Sequence, residues 1–82
     1  MTKEELIAKI IERQSSNPYW EDLTTEDSVS VSVSVSVVQD LYNEWVVKYL
    51  YPNGAISYSY ESEFVLGSDT REWLKQLNKL YP

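Results

Sequence analysis

The sequence predicts an α+β fold in which a helix, a three-stranded antiparallel meander sheet and a second helix follow one another. Both helices are expected on one sheet face, as a two-layer sandwich. Three observations predict it. Apolar residues recur at helical period at both ends of the chain. Serine and valine alternate strictly over Ser28–Val37, and Asn53-Gly54 lies between two β-rich runs. With 82 residues, residues 1–82 read as a single domain, near the lower size at which a chain folds without disulfides or a metal.

In the first helix, Thr2 and Glu5 have the spacing of a capping box, and Leu6, Ile7, Ile10 and Ile11 form one apolar stripe. It should fade over Ser15, Ser16 and Asn17, because a residue before proline is driven out of the helical region. Residues 17–27 show no period and read as an acidic loop in which Tyr19, Trp20 and Leu23 could plug the end of the core. The run from Ser28 to Val38 has the period of a strand and needs its valine face covered. It is uncharged and free of proline, an aggregation hazard flanked by the gatekeepers Glu26, Asp27 and Asp40. So regular a repeat is also what an engineered sequence would carry.

Residues 44–66 read as a hairpin, with two competing registers. A three-residue loop, Pro52-Asn53-Gly54, sets Tyr51 opposite Ala55, with proline at the first central position of a type I turn. A two-residue Asn53-Gly54 loop sets Tyr51 opposite Ile56. The second sorts the faces better. Trp45, Val47, Tyr49, Tyr51, Ile56, Tyr58, Tyr60 and Phe64 fall on one side, and Glu44, Lys48, Ser57, Ser59, Glu61 and Glu63 on the other. The sorted register is preferred here, at the cost of a proline beside the turn that cannot donate a ladder bond. A helix over residues 40–51 is the rival reading, since Leu41, Tyr42, Trp45, Val46 and Tyr49 also fit a helical stripe. It would leave two strands and need a long crossover. The last helix is expected to start at a capping-box-like pair, Asp69 and Glu72, and to bury Trp73, Leu74, Leu77, Leu80 and Tyr81.

Composition restricts the chemistry. The chain has no cysteine and no histidine, which removes thiolate metal sites, disulfides, the cysteine nucleophile and the commonest general base. No metal and no cofactor is expected. The absence of a glycine-rich cradle, a calcium loop or a nucleophile elbow argues against an enzyme. Glu61 and Glu63, two apart on a strand, have the spacing to act as a carboxylate pair, but a solvated strand face accounts for them. Lys48, the one base between residues 14 and 70, reads as a surface salt-bridge partner of Glu44 or Glu61.

The net charge is −6, from 13 acids and 7 bases. Residues 14–70 hold nine of those acids and only Lys48 among the bases. This concentrates the deficit on the sheet and its loops. Such a field repels nucleic acid and anionic membranes and attracts basic protein clefts. The candidate partner-binding residues are Trp20, Glu21, Asp22, Glu26, Asp27, Glu44, Glu61 and Glu63. Without a long apolar run or a leader pattern, the chain reads as soluble and intracellular.

In its small size, acidity, lack of cysteine and histidine, and helices flanking a short antiparallel sheet, the chain resembles phage anti-defence proteins, anti-CRISPR proteins in particular. The resemblance implies a non-enzymatic inhibitor in the cytoplasm of a bacterial host cell, monomeric or weakly dimeric. Its partner would be a basic nucleic-acid-binding protein, a Cas effector or similar, whose groove it occludes. An immunity protein or antitoxin that neutralises a basic toxin uses the same physics. A small self-associating structural subunit is the third expectation.

Overall fold

A computed structural model describes residues 1–15 and 33–82 of the chain. The acidic loop over 17–27 and the start of the serine–valine run, 28–32, lie outside the described residues. The elements are α1 (Lys3–Ser15), β1 (Ser34–Gln39), β2 (Trp45–Leu50), β3 (Ile56–Ser59) and α2 (Gly67–Leu80), the last preceded by a 3₁₀ turn over Phe64–Leu66. The strands form one antiparallel sheet in the order β1-β2-β3. The predicted succession of helix, meander and helix is therefore observed, and residues 45–50 are strand rather than helix.

The start of α1 follows directly from local chemistry. The Thr2 amide donates to Glu5 Oε1 at 2.9 Å, and the Glu5 amide donates to Thr2 Oγ1 at 3.2 Å. Each side chain satisfies a backbone donor that the first helical turn leaves without a partner. Leu6 and Ile10 are fully buried, and Gln14, one turn further along the same face, is buried with them.

The core joins Leu6 and Ile10 of α1, Val47 and Tyr49 of β2, Leu66, and Leu74 and Leu77 of α2, with Val35, Val37 and Trp45 packed against it. Residues 45, 47 and 49 share one face of β2, because side chains alternate along a strand. We call this the core face. Residues 46, 48 and 50 point the other way, and Lys48 names their face, the lysine face.

Turn chemistry, not face sorting, sets the second hairpin. Leu50 pairs with Ile56 and Val47 with Ser59. The Tyr51 amide donates to Ala55 O, and the Gly54 amide donates back to Tyr51 O, both at 2.9 Å. The loop is thus the three residues Pro52-Asn53-Gly54, and the preferred two-residue register is overturned. The reason is the missing proline donor. A two-residue loop would put Pro52 opposite Ala55, where the ladder requires an N–H. The observed loop places proline where no donor is needed, and Gly54 takes the positive φ of +89° that closes such a loop.

This register divides the aromatic set. Ser57 and Ser59 lie on the core face beside Tyr49 and Val47. Ile56 and Tyr58 lie on the lysine face beside Leu50 and Lys48. β3 also ends at Ser59, so Glu61 and Glu63 are not a strand pair. They sit in a turn closed by the Glu63 amide donating to Tyr60 O at 2.9 Å. Phe64 leaves the sheet altogether and is 83% exposed.

The first hairpin repeats the same form. The Asp40 amide donates to Glu44 O at 2.9 Å and the Asn43 amide to Asp40 O at 3.0 Å, with Asn43 at φ 62°. Asparagine is among the few L-residues that occupy this region readily.

α2 begins at Gly67, two residues before the expected cap, and Leu66 at its N-cap position makes no side-chain capping bond. The preceding 3₁₀ turn explains this. The Gly67 amide donates to Phe64 O and the Leu66 amide to Glu63 O, so the entering turn supplies acceptors that a cap would otherwise provide. Asp69 falls in the first turn, where its charge suits the helix dipole. Leu74 and Leu77 are buried as predicted, whereas Leu80 is exposed and Thr70 takes a buried place on the helix face.

Candidate functional site

Of the eight candidate partner-binding residues, Trp20, Glu21, Asp22, Glu26 and Asp27 lie outside the described residues. The remaining three, Glu44, Glu61 and Glu63, are at one end of the sheet, where the β1–β2 turn meets the turn after β3.

Asp40 organises this end. Its Oδ1 accepts the Tyr42 amide at 2.8 Å and the Glu44 amide at 2.9 Å. The amide of Glu44 does most to hold the Asp40 carboxyl below its usual range, with Tyr42 and the Tyr60 hydroxyl adding to it. The Tyr60 hydroxyl is shifted the other way. Burial raises its pKa most, and the negative charges of Asp40, Glu44 and Glu63 add to that. Tyr60 is therefore a neutral donor among carboxylates, and it adds to the Glu44 and Tyr42 amides in favouring the ionised form of Asp40.

Glu44 and Glu61 line one shallow hollow of about 250 Å³, together with Tyr42, Asn43 and Asn78. Two different elements supply the carboxylates, and α2 fixes one of them. Asn78 Nδ2 donates to Glu61 Oε2 at 2.8 Å. The same Asn78 accepts the Trp45 amide on its Oδ1 at 2.6 Å, which ties the start of β2 to α2. Trp45 is held from a second side, its Nε1–H donating to Tyr81 O at 2.7 Å. Glu61 is thus partly buried and oriented, and Tyr42 stands beside it almost fully exposed. Glu63 is exposed and lies outside this hollow.

On the far side of Glu61, the Arg71 Nε–H donates to the Glu61 carbonyl at 3.2 Å, and the Arg71 guanidinium lies 4.6 Å from the centre of the Phe64 ring. This stacking holds the exposed Phe64 beside the acidic turn.

The expected pairing of Lys48 with Glu44 or Glu61 does not occur. Glu44 and Glu61 belong to the hollow at the end of the sheet, while Lys48 lies on the lysine face in register with Ser36 and Tyr58. An ion pair among the described residues joins Arg13 and Asp69 at 3.5 Å, with both side chains more than half exposed.

Three features of this end carried little sequence signal. Asn78 looks like an ordinary polar helix residue. Asp40 reads as a flanking charge. Tyr42 reads as a member of a helical stripe. An Asp-x-x-Asn segment before a β-rich run is the cue for such a turn, since aspartate caps the amides that follow and asparagine accepts positive φ.

Among the described residues, no group of three or more carboxylates is arranged to hold a metal ion, and no helix is long and apolar enough to cross a membrane. No protein-family model, curated protein or solved structure matches the chain.

Proposed function

We propose that the chain is a non-enzymatic protein-binding inhibitor of the anti-CRISPR type, which uses the acidic end of its sheet to occlude a basic nucleic-acid-binding groove. The observation that carries this reading is the hollow formed by Glu44 and Glu61 beside the exposed Tyr42. Two carboxylates and an aromatic ring make a receptor for a guanidinium, which pairs with carboxylates through its fork and stacks on the ring through its plane. Arginines that contact phosphates in a nucleic-acid groove present that same group. Asn78 holds Glu61 in place before any partner arrives, which lowers the ordering cost of binding. Glu63 and the Phe64 ring extend the contact surface beyond the hollow.

The test is capture of a basic nucleic-acid-binding protein by the intact chain, followed by competition with an oligonucleotide. The expected result is a complex that the oligonucleotide and the chain form mutually exclusively, weakened by salt. The double charge reversal Glu44→Lys with Glu61→Lys should weaken it by about tenfold or more, because each reversal places a cation against a cation. In cells, the same double variant should lose protection of a phage against a CRISPR system. A complex that tolerates both the oligonucleotide and the double reversal rules the reading out.

A further inference from the structure

A second hollow, of about 520 Å³, lies on the lysine face, with Val38, Asp40, Leu41, Lys48, Tyr58 and Tyr60 among its lining residues. We propose that this hollow is a binding site for a planar aromatic monoanion, whose carboxylate or sulfonate pairs with Lys48 while its ring lies on Tyr58 and Val38. The inference does not rest on the partner proposed for the acidic end, although the hollow shares Asp40 and Tyr60 with that end.

The sheet register builds the site. Lys48 is directly opposite Tyr58 on β3 and Ser36 on β1. Val38 is opposite Val46, on the same face as Lys48. Tyr60 follows two residues after Tyr58, just past the end of β3, and lines the same hollow. The lining thus combines a β-branched aliphatic residue, two aromatic rings, one cation and the carboxylate of Asp40. A volume of this size falls within the range of small-molecule sites, roughly 300–1,000 Å³.

Lys48 supplies the decisive observation. It is half-buried, and among the described residues no ion pair, hydrogen bond or ring contact reaches its ammonium. The nearby carboxylate does not serve it, since Asp40 is engaged by the Tyr42 and Glu44 amides and by the Tyr60 hydroxyl. A partly desolvated ammonium gains more from an arriving anion than an exposed one does, because apolar walls reduce screening. The charge of the ligand is limited as well. Asp40 in the lining of the hollow and the net charge of −6 repel a second negative charge, which selects a monoanion over phosphates or nucleic acid.

Two fluorescent dyes of nearly the same shape test this on the full chain: anilinonaphthalene sulfonate, a monoanion, and the uncharged phenylnaphthylamine. The sulfonate should saturate a single site and bind about tenfold more tightly than the neutral dye, the worth of one partly buried charge pair. Lys48→Gln should remove that preference, Lys48→Arg should keep it, and Tyr58→Ser should weaken both dyes. Near-UV circular dichroism confirms that each variant is folded. If Lys48→Gln fails to fold, the salt dependence of the wild-type chain decides, since only the sulfonate should weaken as salt rises. Equal affinity for the two dyes, no saturable binding of the sulfonate, or a sulfonate affinity indifferent to both Lys48→Gln and salt overturns the proposal.

Discussion

The Gln14 side-chain amide donates from Nε2 to the Tyr49 hydroxyl at 3.1 Å, across 35 residues of chain and inside the core. The same amide accepts the Thr70 hydroxyl on Oε1 at 2.7 Å. One glutamine of α1 thereby joins β2 and α2, in a region where Gln14 and Thr70 are 1% and 0% exposed. Buried polar groups of this kind fix the mutual placement of elements, because any shift that breaks the bonds strands them away from water.

Replacing Gln14 with Ala should therefore destabilise the protein by about 2–3 kcal/mol, since it removes packing and takes away the amide that serves two buried hydroxyls. Tyr49→Phe should cost less, about 1 kcal/mol. The double variant should fall short of the sum by about 0.5 kcal/mol or more, as expected for residues in direct contact. Urea unfolding of the four proteins measures this cycle. Strict additivity would show that the bond contributes nothing beyond its parts.

Both hairpin loops end on a residue with positive φ, Asn43 and Gly54. Gly54→Ala should cost about 1 kcal/mol although a methyl group there would meet nothing within 4 Å, because the penalty lies in the backbone. Asn43→Gly should be neutral or stabilising, and Asn43→Val should cost more than Gly54→Ala. Thermal melts give the ranking, and an Asn43→Val protein as stable as wild type would contradict it.

Asn78 offers a sharper electrostatic test. In Asn78→Asp an oxygen can still accept the Trp45 amide, but a carboxylate replaces the donor that now faces Glu61 Oε2 at 2.8 Å. Two carboxylates at that separation repel. The variant should be less stable than wild type at neutral pH by about 1–2 kcal/mol. It should recover part of that loss near pH 4, where one carboxyl of the pair takes up a proton. Chemical denaturation at the two pH values checks it, and a loss independent of pH would place the defect elsewhere.

Asp40 and Glu5 each have a pKa lowered by hydrogen bonds. For Asp40 the first cause is the Glu44 amide, and for Glu5 it is the Thr2 amide. A carboxyl whose folded pKa is depressed adds stability that is fully present above its unfolded value, 3.8 for Asp40 and 4.5 for Glu5. That stability is lost as the pH falls through the lower, folded value. The melting temperature of Asp40→Ala should thus lie furthest below wild type near neutrality, and the gap should narrow as the pH falls below 3.8. A constant gap across that range would show that the Asp40 charge is not what stabilises the turn.

Much of this architecture is written in short stretches of chain. The Thr2–Glu5 capping box forms as its spacing requires, because every group involved lies within one turn. The alternation of the serine–valine run is carried into β1, and the apolar stripes of α1 and α2 bury Leu6, Ile10, Leu74 and Leu77. The candidate site was legible only in part. Glu44, Glu61 and Glu63 could be chosen by charge, but the choice of Glu61 and Glu63 as a pair assumes a strand that ends at Ser59 instead. Face sorting points to the wrong hairpin register because Pro52 has no N–H to give the ladder and because tyrosine is not wholly apolar. Tyr49 fits the core with its hydroxyl bonded to Gln14, and Ser57 and Ser59 fit beside it because they are small.

By itself, then, the sequence determined the elements and their order, since these rest on local periodicity and capping, while the form of the Pro52-Asn53-Gly54 loop had to be read from the strand pairing. Only the tertiary structure decided which residues meet: Gln14 with Tyr49 and Thr70, Asn78 with Trp45 and Glu61, Glu44 beside Glu61, and Lys48 without an ion-pair partner among the described residues. Those outcomes depend on how a helix face and a sheet face settle against each other. That settlement is made by burial and by the satisfaction of buried polar groups across tens of residues, and no periodicity along the chain records it.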